Sequence, residues 1–485
     1  MQKPIIGWHR SEPPPDGHEF APHLRNQGGR LHWEGIDLAG LHEAGPVSGL
    51  QPAEDQSLTG PLPSPLEIAY LPRIAERIRS LEQHFAQARR AADYAGEFLY
   101  CYASKANTAE EIVRTTLLAG AHHEMSSRVD VEIARLMAER GHLPADRWIL
   151  ANGFKPAGSD YSEALLDFAR SGAKVLPIFD DLHELEPFLE AGVAVSVGLR
   201  HKTYGLQKHS SGALDSRFGL STDDLQRAAR EIAGCPHLTL RMHHAMLGSQ
   251  MVEPEDFSEG LEPALEDWSA LRKVHETLDL FNFGGGIPAR MTLDFVEPHA
   301  EIARAIVTTA KAVARRRGVP EPHLVGEMGR YTTAEHAAHL FEVLEFKDNG
   351  SPLPWALIDG SIMTSFPDIW AIGEHFAVLP LNHLDRTFRQ VRLGGITCDS
   401  DDVYPQRQSS AELYLPAVGP EESLRLGFFY VGAYQEMLGG VRGSKHCVLP
   451  EACELLIEED GDGALRPRLI EGHRTIDVLA NLGYV

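Results

Sequence analysis

Phe98-Leu99-Tyr100-Cys101-Tyr102-Ala103-Ser104-Lys105-Ala106-Asn107 reads as a short apolar strand that ends on a lysine, with a helix to follow. An ammonium at the C-terminal end of a buried strand has little room to reach water, and burial lowers a lysine's pKa. A lysine in that state can form a Schiff base with an aldehyde. The same residues also fit an ordinary strand-end lysine whose stem carries its charge out to solvent. The rest of the chain decides between the two.

Outward from this strand, short apolar segments alternate with helical patterns between about residues 95 and 340. The expected strands are Glu97–Tyr102, Trp148–Ala151, Lys174–Ile178, Ala194–Leu199, Leu238–His243, Thr277–Phe283 and His323–Gly326. Helical spacing lies between them, as in Ala109–Ala119, Asp130–Arg140 and Tyr161–Ser171. Strands alternating with helices form βαβ units and a parallel sheet. Seven or so units in this span fit a (β/α)8 barrel better than a doubly wound open sheet.

Ahead of the barrel, Pro65–Ala92 has apolar residues at helical spacing, from Leu66, Ile68 and Ala69 to Phe85 and Ala88. Leu31–Leu38 reads as one or two strands, and Gln51–Ser64, with three prolines and no apolar pattern, as a loop. After about residue 345, prolines punctuate the chain. Val391–Thr397 and Cys453–Ile457 read as strands, and Asp460-Gly461-Asp462-Gly463 as a turn. The expected organisation is an N-terminal segment 1–64 that contributes to a β domain, a barrel over 65–345, and a mostly β domain over 346–485.

Composition narrows the function. With 485 residues, 43% hydrophobic and 24% charged, the chain has the make-up of a soluble globular protein of two or three domains. No apolar run is long enough to span a bilayer, and the N-terminus lacks the apolar core of a secretory signal. The net charge of −24 argues against nucleic acid or an anionic membrane as a partner. Five cysteines with no Cys-x-x-Cys pair imply neither a disulfide framework nor a zinc site, and hence no metal and a cytoplasmic location.

Several loops carry chemistry. Gly284-Gly285-Gly286 ends an expected strand, and consecutive glycines let backbone N–H groups close on an anion such as a phosphate, although a flexible turn has the same composition. Glu327-Met328-Gly329-Arg330 follows the next strand. Its carboxylate can hold a protonated pyridine nitrogen and its arginine a phosphate, or the two can simply pair with each other. Ser249 offers a hydroxyl after another strand, and Tyr434 a phenol in the C-terminal domain. Cys398-Asp399-Ser400-Asp401-Asp402 clusters a thiol with acids that suit a divalent cation, a cationic substrate tail or a solvated loop. Taken together, the lysine, the anion loop and the Glu–Arg pair fit pyridoxal 5′-phosphate, which needs all three.

On these motifs the chain resembles the fold-type III pyridoxal-phosphate decarboxylases, whose barrel is of the alanine racemase type. Within them it is similar to the bacterial biosynthetic arginine decarboxylases. Tyr102-Ala103-Ser104-Lys105-Ala106-Asn107, Gly284-Gly285-Gly286, Glu327-Met328-Gly329-Arg330 and Gly432-Ala433-Tyr434 match the family's cofactor motifs. Asn152-Gly153-Phe154-Lys155, Arg217-Phe218-Gly219-Leu220-Ser221, Ser365-Phe366-Pro367-Asp368-Ile369-Trp370 and Thr397-Cys398-Asp399 resemble segments of the arginine branch. The resemblance runs from about residue 65 to 440.

By resemblance, Lys105 holds the cofactor, Glu327 faces the ring nitrogen, and Arg330 and Tyr434 touch the phosphate. Glu124 falls where the family has an acid near the lysine. Cys398 would reach in from a partner subunit of a homodimer to protonate the substrate carbon. Asp399 and Asp368, with Asp401 in the same acidic run as Asp399, are the candidates for the substrate's distal cation. The implied reaction is decarboxylation of a cationic L-amino acid, arginine to agmatine. Decarboxylation or racemisation of another amino acid, or a non-catalytic regulatory role, are the alternatives. Three departures bear on this, one of them the tail His446–Val485, which has little to match in the family. Met246 stands where the family has a ring-stacking histidine, with His244 two residues away as a partial substitute. The chain also runs from Phe346 to Ser361 without the family's helical insertion.

Overall fold

The computed structural model of the chain describes residues 3–43, 58, 60–202, 216–440 and 445–485. The chain divides into two compact units. One is Ala75–Ala289 with Glu297–Thr332; the other is Met1–Ile74, Arg290–Val296 and Thr333–Val485.

The first unit is a closed barrel of eight parallel strands. In chain order they are β1 Phe98–Ala103, β2 His122–Met125, β3 Ile149–Ala151, β4 Val175–Phe179, β5 Val195–Arg200, β6 Leu238–His244, β7 Leu280–Asn282 and β8 His323–Met328. The ladder closes where β8 pairs with β1, with Val325 opposite Leu99 and Glu327 opposite Cys101. Cys101, Leu150, Leu176, Ile178, Met242, Leu280 and Val325 fill the interior as one buried cluster. Each such apolar side chain contributes roughly 1.5–3 kcal/mol by leaving water.

Seven of these strands coincide with the expected apolar runs. The eighth, β2, is His122-His123-Glu124-Met125 and has no apolar run to reveal it. It is a strand because β1 and β3 offer ladders on both sides. The crossover helices begin on side-chain caps: Ser127, Ser159 and Ser221 accept the backbone N–H of Asp130, Ser162 and Asp224. Such caps satisfy donors that a helix start leaves free.

The second unit is mostly β, with a four-stranded antiparallel sheet from Glu19 to Asp37 and a ten-stranded sheet. The long strand Ala337–Lys347 pairs with Leu66–Tyr70, Trp355–Ile358 and Leu424–Phe429. Its core gathers Leu24, Leu31, Trp33, Leu66, Ile68, Leu340, Leu379, Phe429 and Leu455. Leu66–Tyr70 corrects the helical reading of Pro65–Ala92. The helix starts only at Pro72, because Leu66 and Ile68 alternate with period two into this core. Leu66–Tyr70 and all but the last two residues of Ala337–Lys347 lie inside the 65–345 span expected for the barrel, yet they pair with each other in this sheet. Between Phe346 and Ser361 the chain makes a hairpin, with Lys347 opposite Trp355. The strand Phe388–Gly394 begins and ends three residues before the expected Val391–Thr397. Most of Gln51–Ser64 lies outside the described residues.

Candidate active site

The C-terminal ends of the barrel strands collect most of the chemistry-bearing residues, the end where barrel enzymes place their active sites. Lys105 follows β1, Glu124 lies on β2, Asn152 follows β3, His244 and Asn282 end β6 and β7, and Glu327 lies on β8. Lys105 corrects the opening expectation. The strand stops at Ala103, and Lys105 stands exposed on a 3-10 turn while Ser104 and Ala106 are buried. The turn leaves the lysine exposed instead of burying it. Its ammonium still acts on Glu124 and on His244.

Glu327 is the best-anchored acid of the site. Asn282 Nδ2 donates to Glu327 Oε1 at 2.7 Å. Asn152 Nδ2 lies 3.1 Å from each Glu327 oxygen and donates to Glu124 Oε1 at 2.9 Å. One amide thus bridges two buried carboxylates. Ser126 Oγ also donates to Glu124 Oε1 at 2.9 Å. Burial raises the pKa of Glu124, with the charge of Lys105 opposing that rise and Glu327 adding to it. The turn that carries Asn152 requires a glycine after it: Gly153 has φ +73°, and a Cβ there would lie 2.1 Å from Ser126 O. Motif reading assigned no role to Asn152 or Asn282. Asn152 opens the Asn152-Gly153-Phe154-Lys155 segment and Asn282 stands two residues before the three glycines, and only closure of the barrel brings their amides onto Glu327.

We expect Asn152→Leu, which keeps shape and removes both donors, to lower turnover by roughly 10²-fold through loss of carboxylate positioning. It should also weaken cofactor binding, measured by fluorescence titration. Unchanged turnover and cofactor affinity would remove Asn152 from this role.

The glycine loop is packed against its neighbours. Asn282 Oδ1 accepts the Gly284 N–H at 2.8 Å, and the Met246 sulfur lies 3.4 Å from the Gly285 nitrogen. Gly284 O accepts the Glu327 N–H at 2.8 Å. A Cβ on Gly284 would sit 2.4 Å from the Met246 sulfur, on Gly285 3.0 Å from Glu327 O, and on Gly286 3.2 Å from Gly248 O. Only glycines allow this close approach. The strand β6 ends at His244, so Met246 lies in the loop beyond it. Both residues nonetheless approach Gly284. His244 Nε2 is 4.0 Å from Glu327 Oε1, and burial drives the His244 pKa well down. Ser249 is exposed in the loop after β6; Gly329 is buried and Arg330 half-buried just after β8.

The remaining candidates belong to the β unit. Asp368 is buried: Gln435 Nε2 donates to its Oδ2 at 2.9 Å, and its own N–H donates to Gln435 Oε1. Cys398 and Asp401 are exposed and Asp399 is half-buried, while Asp402 is buried and accepts from Thr397 Oγ1 at 2.6 Å and Met363 N at 3.0 Å. Asp402 therefore holds the acidic loop in shape. Tyr434 is half-buried with φ +69°, a left-handed conformation uncommon for a non-glycine residue.

Residues 78–334 match the family described as "Pyridoxal-dependent decarboxylase, pyridoxal binding domain", more than half of the chain. The chain is 24% identical to a biosynthetic arginine decarboxylase of Shewanella loihica, over 91% of this chain and 89% of that one. That alignment spans 582 positions, more than the 485 residues here, so the relative carries segments this chain lacks. Among solved structures, a biosynthetic arginine decarboxylase from Campylobacter jejuni superposes with TM-score 0.74 at 23% identity, covering 87% of this chain and 84% of that one. A diaminopimelate decarboxylase from M. jannaschii, solved with L-lysine, superposes with TM-score 0.77 at 20% identity, covering 96% and 98%.

The site fits such a cofactor on its own terms. Glu124 Oε2 and both ring nitrogens of His244 are buried without a hydrogen-bond partner. Buried polar atoms left in that state call for a polar group beside them. The amide-held Glu327 suits a ring nitrogen, while in the glycine loop the Gly284 N–H is already donated to Asn282 Oδ1.

Proposed function

This chain belongs to the pyridoxal-dependent decarboxylases, and from that premise we propose that it removes the α-carboxyl group of L-arginine, giving agmatine and CO2. It is an amino-acid decarboxylase, and its cofactor is pyridoxal 5′-phosphate, which supplies an electron sink for the bond that breaks. The carrying observation is Glu327. Two side-chain amides hold this carboxylate at the barrel mouth that also bears Lys105. An acid held this way keeps a proton on a facing ring nitrogen.

In this reading Lys105 carries the cofactor and Glu124 tunes the charge of Lys105. His244 borders the ring, and Ser249, Gly284, Gly285, Gly286, Gly329, Arg330 and Tyr434 serve the phosphate. Cys398 of a second copy returns a proton to the substrate's α carbon. Asp399 and Asp401 receive the distal cation. Asp368 is the weaker candidate for that cation, because Gln435 already occupies its carboxylate. The protein then works as a cytoplasmic homodimer feeding polyamine synthesis. Among the described residues no helix is long and apolar enough to cross a membrane.

The similarity to the arginine decarboxylases supports arginine. A second reading, another amino acid such as lysine or diaminopimelate, draws on the diaminopimelate decarboxylase likeness. CO2 release over a panel of arginine, lysine, ornithine, diaminopimelate and acidic amino acids tests this, with chiral analysis of what remains. Arginine should lead by at least about tenfold, which corresponds to roughly 1.4 kcal/mol of discrimination. A different leading substrate overturns the arginine assignment, and a D-amino acid formed without CO2 would mean racemisation.

A further inference from the structure

Two of the five cysteines lie side by side, although 49 residues separate them in sequence. Cys398 Sγ is 3.9 Å from Cys447 Sγ, and both residues are exposed. A second contact joins the same two segments: His446 Nε2 is 3.6 Å from Asp399 Oδ2. Residues 398–399 therefore meet 446–447 in opposite directions, and the thiols face each other through two neighbouring contacts. Cys101 is buried, and Cys235 and Cys453 are half-buried. Among the described residues no group of three metal-ligating side chains could hold an ion, so the pair is not part of a metal centre.

We infer that Cys398 and Cys447 form a reversible intrachain dithiol–disulfide pair that is oxidised by a peroxide. A disulfide needs its sulfurs about 2.05 Å apart, so the pair must close by about 2 Å, within reach of side-chain rotation at two exposed residues. One thiol loses its proton and attacks hydrogen peroxide. A sulfur–oxygen bond forms, the oxygen–oxygen bond breaks, and a sulfenic acid and water result. The second thiol then attacks the sulfenic sulfur. The sulfur–sulfur bond forms and a second water leaves. Each sulfur is oxidised by one electron and the peroxide is reduced to two waters. The hydrogen bond with Cys447 raises the Cys398 pKa, so oxidation should quicken as pH rises towards the thiol's titration range. The consequence for activity rests on the proposed role of Cys398: closing the disulfide removes the thiol that serves as proton donor.

Holoenzyme treated with hydrogen peroxide is mapped by mass spectrometry under non-reducing conditions. The expected product is a chain about 2 Da lighter, with the Cys398 and Cys447 peptides linked and dithiothreitol restoring both thiols. CO2 release should fall and recover in step. Cys447→Ser should keep basal turnover, form no link, and pass under peroxide to higher Cys398 oxides that dithiothreitol does not reverse. Separate oxidation of the two thiols in the natural chain, or a disulfide only between two chains, overturns the inference and leaves the decarboxylase reading intact. A link that forms without changing turnover supports the dithiol pair and removes Cys398 from the catalytic reading.

Discussion

Lys105→Ala should lower CO2 release by about 10³-fold or more, in line with the loss of a residue that bonds covalently to the reacting group. It should also remove the visible absorption of cofactor bound to the lysine. The fold should survive. Lys105 is exposed on a short turn, and the packing there belongs to Ser104 and Ala106. Exposed substitutions of this kind typically change stability by no more than about 0.5 kcal/mol. Loss of activity without a change in thermal unfolding separates a chemical role from a structural one. A Lys105→Ala protein that still releases CO2 at the natural rate would end the assignment of this lysine.

Lys155→Met should produce the largest loss of stability. Lys155 Nζ donates to Gly153 O at 2.5 Å and Ile178 O at 2.7 Å, and lies 3.4 Å from Glu184 Oε2, with both side chains fully buried. Burial lowers the pKa of Lys155 and raises that of Glu184, and each partner's charge works against the other's shift. Removing one member of a buried pair leaves the other charge uncompensated and costs about 3–5 kcal/mol. The lower end applies here, since Glu184 keeps the backbone N–H groups of Lys155 and Asp180. At roughly 2–4 °C per kcal/mol, the unfolding midpoint should fall by about 6–12 °C. Glu184→Gln added to Lys155→Met should recover part of the loss by discharging the stranded carboxylate. A midpoint unchanged in Lys155→Met would show that the pair contributes nothing net. Turnover should fall with stability, because Lys155 holds the Gly153 carbonyl beside Asn152, and Asn152 holds Glu327.

Local pattern alone made most of the barrel legible. Seven strands announce themselves as apolar runs, because a parallel strand covered on both faces needs apolar side chains throughout. β2 stayed hidden because its burial serves polar residues: Glu124 faces the site, and His123 lies buried in the same strand. Leu66–Tyr70 fits a helix as well as a strand, because Leu66, Ile68 and Ala69 within five residues suit either period. Only pairing with Ala337–Lys347 and Cys453–Glu459 selects the strand.

The chemical groups themselves were determined by sequence. Lys105, three consecutive glycines, Glu327 with Arg330, and an acidic run beside Cys398 are local in the chain, and short motifs report residue types and spacing without any need for contacts. Tertiary structure alone decided how those groups are held and how exposed they are. It places Lys105 outside the strand, puts two asparagine amides on Glu327, engages Asp368 with Gln435, and sets Cys398 against Cys447. The last three depend on residues far apart in sequence coming into contact. The energy of a buried polar group depends on which partners it meets, and that is set by the fold as a whole.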